Sequence, residues 1–179
     1  MSIRLARAAA PTVVLTAALV LAAPAAHATT AAAAPATAAA SCSQSYLPLP
    51  DPACTPGVTN PDVSQSTIGS TICVSGWTAT IRPPTSYTNK LKVQGIKDYG
   101  YSDTSLSSYE EDHFLPLEVG GSPTDPKNLW PEPHSGVKNA YSKDSVENAV
   151  KKAVCASKAT LVDAQHALLT DWTTAESVL

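Results

Sequence analysis

"YEEDHFLPLEVGG", residues 109–121, sets three consecutive acids before a single histidine, then an apolar run and a pair of glycines. Charge this dense beside a core element is costly unless it is paired or used. Leu115, Leu117 and Val119 alternate, which predicts a half-buried strand. Gly120–Gly121 and "SPTDP" then open a loop that leads to "NLWPEP". In a regular strand Asp112 and His113 face opposite ways, so a shared site requires a strand end or a bulge. Metal-assisted phosphodiester hydrolysis is the chemistry that wants such a pair. The carboxylate holds a hard divalent cation and a neutral imidazole takes the proton of an attacking water. Glu110, Glu111 and Asp112 also favour the imidazolium, so a base role asks for a bound cation to offset their field. Asn128, fifteen residues beyond His113, can bond the loop backbone through both sides of its amide and so fix the strand carrying the histidine.

The flanking sequence places this stretch in an exported chain. Residues 1–28 join Arg4 and Arg7 to the apolar "PTVVLTAALVLAAPA" and end on "AHA", the pattern of a signal peptide. Residues 29–50, rich in Ala, Thr and Pro, read as a disordered leader. Residues 51–179, roughly 130, suffice for one domain with a modest core. Cys42, Cys54, Cys73 and Cys155 all follow the expected cut, and an even count in an exported chain favours disulfides. Sequence does not choose among the three connectivities. The expectation is Cys73–Cys155, with Cys42–Cys54 as a local clasp; no C-x-x-C spacing supports structural zinc. Without Arg4 and Arg7 the chain holds 10 basic against 15 acidic residues, near −5, which argues against broad phosphate-backbone binding. Lys127, Lys138, Lys143, Lys151 and Lys152 are a partial local answer, with Lys127 and Lys143 as candidate phosphate contacts.

Elsewhere, "STICVSGWTATIRPP" at 70–84 is rich in β-branched residues and predicts a strand or hairpin. Ser86 is a candidate cap for a helix carrying Tyr87 and Leu91. Ser142 is the expected cap of a helix whose stripe is Val146, Ala149, Val150, Ala153 and Val154. Thr160 caps a last helix with Leu161, Ala164, Leu168 and Trp172 on one face. Trp77, Trp130 and Trp172 are expected in the core. Strands followed by helices give an α+β order.

"EEDHFLPLEVGGSPTDPKNLWPEP" resembles the HNH endonucleases. The resemblance implies a ββα-metal core of two strands, a loop and a helix around one divalent ion; the residue patterns add N-terminal strands and C-terminal helices to it. The resemblance assigns Asp112 as a metal ligand, His113 as general base and Asn128 as the middle Asn. "KDSVENAVKKAVC" and "AQHALLTDW" are similar to the tails of secreted actinobacterial proteins of this type. Where the family usually has a last His or Asn, this chain has Val137. Asp144 and Glu147, one helical turn apart, are the favoured substitutes on physical grounds, with Asn139 and His134 as alternatives. The implied function is a secreted, monomeric, Mg-, Mn- or Zn-dependent nuclease acting on DNA or RNA. The alternatives are an inactive binding module or protease inhibitor on a similar fold, or a structural cell-surface protein.

Overall fold

The computed structural model describes residues 41–178. The expected signal peptide and most of the expected leader lie outside that range. Residues 41–50 do not continue the leader. They form a 3-10 turn at Gln44–Tyr46, a disulfide between Cys42 and Cys54, and a carbonyl at Pro48 that accepts the Trp172 indole N–H at 3.1 Å. Residues 41–50 therefore belong with the fold, held by contacts far away in sequence.

Four helices and one two-stranded sheet make up the fold of the described residues. Helix α1 is Trp77–Ile81, α2 Thr85–Asp98, strand β1 Tyr109–His113, β2 Leu129–Pro133, α3 Ala140–Cys155 and α4 Leu161–Asp171. The strands are antiparallel, with Glu110 opposite Glu132 and Asp112 opposite Trp130. Alternation along them turns Glu111 and Pro131 towards α2, and Glu110, Asp112 and Glu132 the other way. Mixed helix and strand with two disulfides make this a small α+β, disulfide-stabilised fold. Among the described residues no helix is long and apolar enough to cross a membrane.

Four local expectations are corrected. Ser86 does not cap α2; it lies within the first turn, and Pro84 precedes the helix without any side-chain cap bond. The 70–84 segment is not a strand: a 3-10 turn at Ile68–Ser70 is followed by turns and α1. Its β-branched residues are outvoted by Gly76, whose φ of +79° starts the helix, and by the Cys73 bridge. The 115–119 stretch is a loop with a 3-10 turn at Leu117–Val119, and the strand stops at His113. Helix α3 is capped by Asn139, not Ser142. Ser142 stands at the third helical position and completes a capping box, its hydroxyl accepting the Asn139 N–H at 2.8 Å.

The core gathers Ile72, Phe114, Leu115, Val119, Trp130, Val150, Val154, Leu161, Ala164, Leu168 and Trp172. Trp77 packs against its edge, half-buried. Under the hairpin, Tyr99, Tyr101, Tyr109 and Trp130 form an aromatic chain with centroids 4.7–5.8 Å apart. The Cys73–Cys155 bridge joins the turn before α1 to the last residue of α3, across 82 positions. Closing so long a loop is worth about 4 kcal/mol in the chain-entropy account. The double variant Cys73→Ser/Cys155→Ser is therefore expected to lose a few kcal/mol in urea unfolding, with its midpoint falling and its m-value altered by the looser unfolded state.

Candidate functional site

The hairpin loop is a buried structure held by one side chain. Asn128, fully buried, accepts the N–H of Leu115 at 3.0 Å and of Val58 at 3.2 Å through Oδ1. Its Nδ2 donates to the carbonyls of Leu115 at 3.0 Å and Ser122 at 2.9 Å. All the amide's main capacity goes to backbone, so Asn128 fixes the loop that follows His113 and does not line the pocket beside it. The glycines serve the same turn. Gly120 has φ +79°, and a Cβ on Gly121 would sit 1.8 Å from the Leu115 carbonyl oxygen.

His113 lies where the strand breaks, 4% exposed. Its Nε2 bonds the Pro123 carbonyl at 3.0 Å, so that nitrogen carries the proton. Nδ1, without a partner among the described residues, carries the lone pair. Burial pushes its pKa below the ordinary histidine value, outweighing the hydrogen bond to Pro123 and the charge of Asp112. This corrects the expectation that the neighbouring acids hold it as imidazolium. Glu111 points away towards α2, and both Glu111 and Glu110 are pushed up by their own burial.

Lys143 decides the electrostatics. It is 1% exposed, and its ammonium donates to Asp112 Oδ2 at 2.5 Å, to the His113 carbonyl at 3.0 Å and to Glu147 one turn along α3. The expected role as a phosphate contact is thereby corrected, because every proton of the ammonium is engaged inside the protein. Burial alone would raise Asp112, yet the Lys143 charge holds it below the usual carboxylate value. Burial likewise pushes Glu147 up to about 7, with Lys143 opposing. Glu132, opposite Glu110 and 1% exposed, finds no partner for either carboxyl oxygen among the described residues. Burial and then Asp112 push it to about 10, so it is a neutral acid at pH 7.

Above this network lies a polar pocket of about 100 Å³ lined by Arg82, Glu110, Asp112, His113, Glu118, Asp144 and Glu147. Of the expected residues, Asp112, His113, Asp144 and Glu147 meet here. Lys127 is exposed on the α2 side, in a different cavity with Glu111. Asn139 is used as the cap of α3, and His134 stacks on Tyr141 with Nδ1 on the Ser107 carbonyl, so neither lines the pocket. Glu118 lines the rim and pairs with Lys151 at 3.6 Å. Sequence reasoning misses Arg82 and Glu132. A lone arginine before two prolines and an acid in "NLWPEP" carry no local signal of where the fold sends them.

Among the described residues, no three His, Cys, Asp or Glu side chains converge as ligands to a metal ion. The Lys143 ammonium sits between the two closest carboxylates on the strand and helix. What faces the pocket is a set of hard oxygen donors on Asp112, Asp144 and Glu147. That chemistry fits a cation that keeps most of its water, as Mg²⁺ does, better than Zn²⁺. Comparison with protein-family models, curated proteins and solved structures gave no match.

Two outcomes test this electrostatic arrangement. Lys143→Met leaves Asp112 and Glu147 facing each other without a counter-charge and is expected to cost roughly 3–5 kcal/mol in denaturant unfolding. The pH dependence has two limbs. Glu147, Glu111 and Glu132, raised to about 7, 8 and 10, bind more protons folded than unfolded, so stability falls as pH rises from about 5 towards 10. Asp112, held low, loses its contribution as pH drops below about 4. Thermal melts from pH 3 to 10 are expected to peak near pH 5, and Glu132→Gln is expected to flatten the alkaline limb.

Proposed function

We propose that this protein is an exported, monomeric HNH-type nuclease that hydrolyses phosphodiester bonds in DNA or RNA with the help of one divalent cation. The observation that carries this reading is His113: a neutral imidazole with its proton on Nε2, held by the Pro123 carbonyl, and a lone pair on Nδ1, in a ring that lines the same pocket as Asp112. The order hairpin, clamped loop and helix around that pocket supports it. So do the Asp112–His113 and Asn128 residues on which the family resemblance rests. Two disulfides fit a protein that works outside a reducing cytoplasm.

In this reading His113 Nδ1 accepts the proton of the attacking water, and the Pro123 carbonyl keeps the ring in the tautomer that can do so. Asn128 holds the loop that supplies that carbonyl. Lys143 keeps Asp112 ionised and ties it to the His113 main chain. Asp112, with Asp144 or Glu147, would hold the cation, which when bound supplies charge stabilisation to the phosphate and the departing oxygen. Mg²⁺ or Mn²⁺ suits these oxygen donors better than Zn²⁺. A second reading, a catalytically silent binding module, draws on the same network, since Lys143 already neutralises the carboxylates without any ligand.

Plasmid and RNA cleavage with Mg²⁺, Mn²⁺ or Zn²⁺, then with chelator, separates the two. His113→Ala is expected to lose about 10²–10⁴-fold in rate with little change in substrate binding. The acid limb of kcat/KM is expected below the ordinary histidine pKa of about 6.5, because burial lowers His113. Equal cleavage by wild type and His113→Ala would point to the silent module.

A further inference from the structure

Arg82 is the only arginine after Arg7, and the chemistry above leaves it without a task. It follows the last residue of α1 and lines the pocket with Asp112, His113, Asp144, Glu147 and Asn148. Its side chain is exposed, and its guanidinium makes no hydrogen bond or ion pair among the described residues. That is unusual in a pocket lined by five carboxylates, Glu110, Asp112, Glu118, Asp144 and Glu147. The nearby lysines are already committed, Lys143 to Asp112 and Glu147, and Lys151 to Glu118.

The backbone that presents Arg82 is stiff. Its N–H bonds the Thr78 carbonyl at 3.0 Å, its φ and ψ are −61° and 128°, and Pro83 and Pro84 follow. A residue before proline is confined to this extended backbone region, which fixes the point from which the side chain leaves the chain. Nine residues upstream, before α1, Cys73 fastens the chain to the end of α3. A phosphodiester nearing this acidic pocket meets repulsion from every lining charge except Arg82. A planar guanidinium can meet two non-bridging phosphate oxygens at once, which an ammonium cannot.

We propose that Arg82 is the phosphate anchor of this pocket, taking the non-bridging oxygens of the phosphodiester that lies beside His113. The proposal rests on the nuclease reading of the pocket and names the residue that lets an acidic protein hold an anionic substrate there.

The test uses the full mature chain and separates binding from cutting. In a His113→Ala background, binding of a fluorescent oligonucleotide in Mg²⁺ is titrated across salt concentrations, with Arg82→Ala and Arg82→Lys added in turn. Arg82→Ala is expected to weaken binding at least about tenfold and to lower the slope of log K against log salt by about one. Arg82→Lys is expected to restore the slope and only part of the affinity. With His113 intact, Arg82→Ala is expected to raise KM while the acid limb of the pH profile stays in place. Because Arg82 is exposed, matching thermal melts will show that the variants fold. Cleavage by wild type with unchanged affinity, slope and KM in Arg82→Ala overturns the anchor and leaves the nuclease reading standing. Arg82-dependent binding by a protein that cuts nothing overturns the nuclease reading and keeps the anchor. Absence of binding in every variant overturns both.

Discussion

A single buried ammonium organises this molecule. Lys143 reaches from α3 to the end of β1 and places its charge among Asp112, Glu147 and the His113 carbonyl. Burying a lysine alone is prohibitive, and burying Asp112 and Glu147 beside each other is little better. Together they become tolerable, and helix and strand must then meet at one point. The hairpin's position against α3, the ionised state of Asp112 and the shape of the pocket all follow from that meeting.

The strand itself gives little help in choosing its register. "YEEDH" carries acids on both faces, so a slip of one residue would send Glu111 to the pocket and Asp112 towards α2. Register is set outside the strand, by Asn128 gripping Leu115 and Ser122 and by the glycine turn that brings the chain back. The segment from Gly57 to Asn60 adds backbone bonds to Gly120, Ser122 and Lys127. A loop this buried is possible only because its backbone groups are met in this way.

The parts of the fold legible in the sequence are those with local causes. The buried stripes that hold Val150 and Val154 in α3, and Leu161, Ala164 and Leu168 in α4, need only helical periodicity. The even cysteine count is also readable as two disulfides, and the expected pairs form, but number and spacing leave the connectivity open. What the sequence hides depends on which surfaces meet. The alternation of Leu115, Leu117 and Val119 marks burial in either a strand or a folded loop, and only the Asn128 bonds make it a loop. Lys143 reads as an outward phosphate contact until α3 is set against β1. Arg82 and Glu132 reach their places through a bridge and a strand register that no local pattern announces.

The aromatic chain under the hairpin has an optical consequence. Trp130 stands directly across the ladder from Asp112, 1% exposed, with its ring 5.8 Å from Tyr99 and its indole N–H unpartnered among the described residues. An indole in so dry a setting is sensitive to nearby charge. A change in the charge balance around Asp112 is therefore written into the protein's own fluorescence, and the hairpin carries a gauge of its pocket without any added label.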